Sequence, residues 1–138
     1  MQHAYFATIG VGIILMTTAC SRSWVDDELQ RLPPEKKVEK ASVIALTRWD
    51  RSDSTLKCII SEILKQAPNT AFHYRVGDEV RSQQQQIRDN TDYGEGEVLF
   101  FTGSPAQLRY AAAIHHERIT TFGDMPVSTL RGLIGTAK

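Results

Sequence analysis

Cysteine is scarce in this 138-residue chain, which contains only two, and neither sign of charge is in excess. Sixteen lysines and arginines balance sixteen aspartates and glutamates, so the basic excess typical of nucleic-acid-binding proteins is absent. The hydrophobic fraction of 41% is too high for a disordered chain. We therefore expect a globular protein of ordinary composition with no nucleic-acid partner.

Recognisable catalytic motifs are lacking as well. No G-x-S-x-G sequence occurs, and neither cysteine belongs to a cysteine–histidine signature that would indicate a nucleophile. Cysteine, histidine and carboxylate residues also lack the spacing of a zinc site. These absences favour a protein that is not an enzyme and that carries no cofactor or metal ion.

Residues 4–19, near the N-terminus, contain no charged residue and are mostly apolar or small. These sixteen residues are fewer than the roughly 20 that a membrane-spanning helix needs, but they match the apolar region of an export signal. The run ends in Thr17-Thr18-Ala19-Cys20. These four residues resemble the lipobox of bacterial lipoproteins, in which small residues precede a cysteine that is lipidated and becomes the mature N-terminus.

The resemblance implies a lipoprotein signal peptide over residues 1–19, cleavage between Ala19 and Cys20, and attachment of lipid, including palmitate, to Cys20. A cysteine suits this role because its thiolate is the nucleophile that accepts the acylated group. Ser21, in place of an acidic residue, implies sorting to the outer membrane. The protein would face the periplasm or, alternatively, the cell surface.

Two features differ from the lipoprotein pattern. Thr17 occupies a position where the family usually has leucine, and residues 1–3 contain no lysine or arginine. An ordinary secretory signal cleaved after Ala19 and an uncleaved short anchor therefore stay open as alternatives.

Removal of the signal would leave 138 − 19 = 119 residues, enough for one domain with a modest core. Residues 20–41 follow as a predicted tether, because residues 21–41 hold five basic and five acidic residues around a Pro-Pro pair. This stretch also contains a short amphipathic turn that is predicted to dock on the body or on a partner, formed by Trp24, Val25, Leu29 and Leu32. Residues 42–138 are predicted to form a single small domain.

Predicted strands and helices alternate along this domain. Strands are predicted over residues 42–47, 71–76, 98–101 and 119–122, and helices over residues 52–67, 106–117 and 128–134. The helix over residues 52–67 rests on apolar residues at i, i+3, i+4, i+7 and i+8. The pattern predicts a small α/β sandwich with a sheet of three to four strands and two to three helices.

Cysteine and histidine residues offer few candidates for a site. Cys58 lies in the apolar stripe of the helix predicted over residues 52–67, which favours a small core residue over a nucleophile. His115, His116 and Glu117 are adjacent, and adjacent positions on a helix point about 100° apart, so they cannot converge on one ion. We therefore predict a solvated helix end there, although His73 could in principle join the group.

Two loops also deserve consideration as sites. Acidic residues cluster around two glycines over residues 89–97, at Asp89, Asp92, Glu95 and Glu97. They lack the alternating ligands of a calcium loop, so a solubilising loop is predicted. Residues 102–105 precede a predicted helix and could bind an anion, but Pro105 removes one N–H donor and helix capping is the favoured role.

Three functions are compatible with these features. The first is a non-catalytic, outer-membrane-anchored accessory subunit of a secretion, conjugation or pilus machine, with another envelope protein as its partner. The second is a lipoprotein that binds peptidoglycan or a small ligand. Residues 59–76 resemble the helix–strand pattern of the OmpA-type peptidoglycan-binding family, but residues 90–138 lack its ligand motif. The third is an envelope hydrolase.

Overall fold

The computed structural model describes residues 27–136, so the predicted signal peptide and lipidation site lie outside the described residues. This part of the chain forms one antiparallel sheet of seven strands, in the order β3-β2-β1-β4-β5-β6-β7. The strands are β1 (Val43–Ser52), β2 (Thr55–Gln66), β3 (Gln85–Gln86), β4 (Gly96–Thr102), β5 (Gln107–His115), β6 (Arg118–Ile119) and β7 (Met125–Pro126). The helices are α1 (Asp27–Arg31), α2 (Pro34–Lys40) and α3 (Val127–Thr136), with 3₁₀ turns at Arg81–Gln83 and Thr120–Phe122.

Strand β4 is buried on both faces of the sheet. Val98 and Phe100 point into a core on the first face, and Leu99 and Phe101 point into a second core on the other. A strand between two covered faces needs apolar residues at every position, which explains the continuous run over residues 98–101. The buried strand predicted there is confirmed.

The three helices cover the first face of the sheet. Leu29 of α1, Val38 of α2 and Leu130 of α3 are all almost completely buried in the first core. The folded body therefore starts fifteen residues earlier than the boundary predicted at residue 42, and residues 27–41 are not a free tether. Leu32 also packs against this core, so both Leu29 and Leu32 dock on the body. Apart from Lys37, which is buried, the charged residues over residues 28–40 are exposed, while the apolar residues of the two short helices face inward.

A segment without regular secondary structure covers part of the second face. The ring of Phe72 packs edge-on against Phe101 with 4.8 Å between the centroids. The chain then returns to the outer edge of β2, where the backbone N–H of Gly77 donates to the carbonyl of Ile60 at 2.8 Å. The prediction of a strand over residues 71–76 is wrong. The aromatic side chains of this segment pack onto the face of the sheet, and its backbone does not join the sheet as a strand.

The helix predicted over residues 52–67 is strand β2. It forms a hairpin with β1 through a two-residue turn at Asp53 and Ser54, with Asp53 at a φ of 52°. This strand is buried on both faces, and its pairing with β1 has two register shifts. Its apolar residues therefore do not alternate regularly, and their spacing in the sequence resembles that of a helix. Hydrophobic spacing alone cannot distinguish these two structures.

The helix predicted over residues 106–117 is strand β5. It pairs with β4 from Thr102 opposite Gln107 to Gly96 opposite Ile114. Three consecutive alanines favour a helix locally, but the pairing with β4 overrides that preference.

The C-terminal part agrees better with the sequence pattern. The predicted C-terminal helix is confirmed as α3, while the edge strand predicted over residues 119–122 is reduced to β6 and the 3₁₀ turn that follows. Residues 27–136 thus form a small sheet-and-helix domain that is mostly β, with seven strands where three or four were predicted. Within the described residues, no helix combines the length and apolar character needed to cross a bilayer.

Candidate functional site

A surface cleft of about 530 Å³ lies at the start of α3. Its volume falls in the range of roughly 300–1,000 Å³ that is common for small-molecule sites. Apolar contributions come from Ile114, Pro126 and Val127. The polar lining residues are Glu95, His116, Glu117, Arg118, Ser128 and Arg131. The cleft therefore combines a small apolar area with charges of both signs.

The turn between β5 and β6 forms one side of the cleft. His115 pairs with Arg118, so His116 and Glu117 are the two turn residues, and their φ values are 50° and 61°. Two-residue turns with both φ values positive normally contain asparagine and glycine, because larger residues are strained there. The side chain of Glu95 holds this turn by accepting the backbone N–H of His116 at 2.7 Å, through Oε1. The predicted solvated helix end is therefore a constrained hairpin turn.

The two arginines of the cleft differ in their pairing. Nη1 of Arg118 donates to the backbone carbonyl of Asp124 at 2.8 Å, and no carboxylate within residues 27–136 forms an ion pair with it. Arg131 donates two hydrogen bonds of 2.6 Å to the carboxylate of Glu62. Hydrogen bonding to Arg131 lowers the pKa of Glu62, and the same contact raises the pKa of Arg131.

A second group of polar side chains lies inside the sheet, on its second face. The hydroxyl of Thr47 accepts the backbone N–H of Glu97 at 3.0 Å and donates to the carbonyl of Glu97 at 3.1 Å. Oε2 of Glu97 is buried and has no hydrogen-bond partner among residues 27–136, and burial raises the pKa of this carboxyl to about 7. The sequence context of Glu97 predicts a solubilising loop. The structure contradicts this prediction, because Glu97 is a largely buried residue of β4.

Cys58 is fully buried beside this group. Burial raises its pKa to about 12, a hydrogen bond with Thr47 opposes that change, and the charge of Glu97 adds to it. A thiol with so high a pKa stays protonated near neutral pH and is a poor nucleophile. The prediction of a small core residue is confirmed, although Cys58 lies on a strand and not on a helix.

Gly94 and Gly96, in and next to the acidic loop, let the backbone approach neighbouring strands closely. A Cβ atom on Gly96 would lie 1.9 Å from the carbonyl oxygen of Thr47, and one on Gly94 would lie 2.0 Å from that of Ile114. Asp92 accepts the backbone N–H of Gly94, which is the main cause of the lowered pKa of Asp92. The backbone of Glu95 accepts the N–H of Trp49 in β1 and donates to the carbonyl of Ile114 in β5, both at 2.9 Å, so the loop is held against these two strands.

The histidines considered as metal ligands do not come together. Nδ1 of His115 lies 3.5 Å from Oδ2 of Asp92, His116 lines the cleft, and the ring of His73 packs 4.2 Å from that of Tyr74. In the part of the chain that the structure describes, no three histidine, cysteine, aspartate or glutamate residues are placed to hold a metal ion.

The turn over residues 102–105 does not open a helix. It connects β4 to β5 and contains a cis peptide bond between Ser104 and Pro105. The hydroxyl of Ser104 accepts the backbone N–H of Ala71 at 2.9 Å, which ties the turn to the segment covering the second face. The predicted helix cap is therefore wrong, and no helix dipole is available there for an anion.

Lys37 is a buried charge that the sequence pattern does not reveal. Its Nζ donates to the carbonyls of Gln30 and Leu32 and lies 4.8 Å from the ring centroid of Tyr110. Burial lowers the pKa of this amine. Lys37 satisfies carbonyls at the end of α1, so its role is to join α1 to α2. In the sequence it is one of several lysines in a charged stretch.

Comparisons with known proteins identify no relatives of this chain. No protein-family model, no curated protein and no solved structure matches it.

Proposed function

We propose that this protein is a bacterial lipoprotein, anchored to the outer membrane through Cys20 and facing the periplasm. In this proposal it acts as a non-catalytic accessory subunit of a secretion, conjugation or pilus machine. The supporting observation is the sequence Thr17-Thr18-Ala19-Cys20 at the end of a sixteen-residue uncharged run. Such a run followed by such a cysteine is typical of an export signal with lipid attachment.

The start of the folded body limits where such a protein would act. Helix α1 begins at Asp27, so seven residue steps separate Cys20 from the body. A fully extended chain advances at most about 3.6 Å per residue, which limits this connection to about 25 Å. A lipidated protein of this design would hold its body close to the membrane surface, and its partner would have to be accessible there.

The burial pattern supports a subunit that folds before it meets its partner. Among the described residues, Val76 is the one large apolar side chain that is strongly exposed. Obligate interfaces are generally more apolar than this surface, whereas transient ones resemble the rest of the protein surface. An accessory subunit that associates reversibly fits this distribution.

The proposal can be tested in envelopes by comparing the wild type with Cys20→Ala and Cys58→Ala. We expect the wild type and Cys58→Ala to incorporate labelled fatty acid, and Cys20→Ala to remain an unlabelled precursor. Crosslinking and affinity purification should then recover machine subunits in stoichiometric amounts with the wild type and with Cys58→Ala, but not with Cys20→Ala. Maturation of Cys20→Ala to the normal size would contradict the lipid anchor, and recovery of no envelope subunits would contradict the accessory role.

A ligand-binding lipoprotein is the second candidate function, and the cleft at α3 is the observation that favours it. Binding to peptidoglycan would appear as co-sedimentation of the purified protein with cell walls stripped of other proteins. An envelope hydrolase, the third hypothesis, would require an activity that is lost when a histidine is changed.

A further inference from the structure

The cleft is lined by charges of both signs. The carboxylates of Glu95 and Glu117 come from the loop before β4 and from the β5–β6 turn. The guanidinium groups of Arg118 and Arg131 come from β6 and α3. A site built from opposite charges on different elements matches a ligand that itself carries both charges.

Two of these charges have no ionic partner among residues 27–136. Arg118 contacts a backbone carbonyl only, and Glu117 forms no ion pair within that range. Arg131 is already bound to Glu62, and one oxygen of Glu95 is occupied by the backbone N–H of His116. Arg118 and Glu117 are thus the charges available for a ligand, while the other two hold the walls in place.

The backbone of the turn that carries Glu117 is fixed in the absence of a ligand. Glu117 has a positive φ of 61°, and its carbonyl accepts the N–H of Val127, which connects the turn to the start of α3. A strained turn that is fixed by the surrounding structure is common at binding sites, and a preformed site loses less entropy on binding.

We propose that the cleft binds a small zwitterion, an amino acid or short peptide, with its carboxylate on Arg118 and its ammonium group on Glu117. A guanidinium group binds carboxylates through charge-assisted hydrogen bonds, and a carboxylate binds ammonium groups in the same way. Ile114, Pro126 and Val127 provide apolar contacts for a small aliphatic side chain. This inference specifies the ligand of the second candidate function and does not depend on lipidation of Cys20, so the two experiments can fail separately.

Three related probes that differ in which charges they carry test the proposal. Alanyl-alanine carries both charges, its N-acetyl derivative keeps only the carboxylate, and its C-terminal amide keeps only the ammonium group. Binding to the purified body is measured by NMR titration, with shift changes assigned to residues. We expect alanyl-alanine to perturb residues of the cleft and to bind about tenfold more tightly than either derivative, a modest factor for an open site.

Two variants assign each charge to its partner. Arg118→Gln should abolish the preference for alanyl-alanine over its amide, and Glu117→Gln should abolish the preference over the N-acetyl derivative. Arg81→Gln and Glu35→Gln are matched controls at exposed positions outside the cleft, and both should bind like the wild type. Circular dichroism of each variant verifies that the fold is retained.

Several results would overturn the proposal. Absence of binding at millimolar concentrations would exclude a zwitterion site, and equal binding of the N-acetyl derivative would indicate a plain anion site. Unchanged preferences in Arg118→Gln and Glu117→Gln would place the binding elsewhere on the protein.

Discussion

Replacing Glu97 by glutamine is expected to remove a large part of the pH dependence of the unfolding free energy between about pH 4.5 and 7. Burial raises the pKa of this carboxyl from 4.5 to about 7, and its Oε2 has no hydrogen-bond partner in the described part of the chain. In the unfolded chain the carboxyl returns to water and to its ordinary pKa.

The size and direction of the effect follow from proton linkage. Below pH 4.5 both states are protonated, so Glu97 contributes no pH dependence there. Between pH 4.5 and 7 the unfolded state has lost the proton while the folded state keeps it, so stability falls as pH rises. A difference of about 2.5 pKa units, at about 1.4 kcal/mol each, corresponds to a loss of about 3 kcal/mol across this window.

Urea unfolding of the wild type and of Glu97→Gln at half-unit steps from pH 4 to 8 measures this loss. Glutamine has the shape of the protonated carboxyl and does not ionise, so the free energies of the two proteins should diverge by about 3 kcal/mol as the pH rises. Glu35→Gln, an exposed position on α2, is the control and should follow the wild type. Parallel curves for the wild type and Glu97→Gln would refute a buried, protonated Glu97.

Two further predictions concern the packing around the same strands. Gly96→Ala should destabilise the body by about 1–3 kcal/mol, because its Cβ would lie 1.9 Å from the carbonyl oxygen of Thr47; an unchanged melting temperature would contradict this close approach. Cys58 should react with a thiol reagent only under unfolding conditions, because it is fully buried and its pKa is raised to about 12. Rapid labelling of the native protein would show that the second core is open.

The sequence was informative where one residue pattern fits one structure. The continuous apolar run over residues 98–101 predicts a buried strand, and Cys58 is predicted to lie in the core; both predictions are confirmed. The C-terminal helix is also confirmed. Each depends on local composition or periodicity, which the tertiary structure did not override.

The predictions for β2 and β5 failed for different physical reasons. In β2, burial on both faces and two register shifts imitate the spacing of a helix. In β5, consecutive alanines favour a helix, yet hydrogen bonding to β4 determines the conformation. Non-local pairing of this kind has no signal in a single sequence.

The cleft could not be found from the sequence, although Glu95, His116 and Glu117 are candidate site residues there. His116 and Glu117 were considered as metal ligands on a helix, whereas they form a hairpin turn that faces α3. Arg118 has no distinguishing local pattern, and Ser128 is predicted only to cap the C-terminal helix. They join the site only because β6, β7 and α3 bring the chain back beside the turn.

By itself, the sequence determined which segments are apolar enough to enter a core, and it carries the lipobox-like residues 17–20 from which export is predicted. The tertiary structure decided whether those segments are strands or helices, because sheet pairing joins residues far apart in the chain. It also decided the chemistry of individual side chains. Lys37 and Glu97 are ordinary charged residues in the sequence, and only burial against other elements shifts their pKa values.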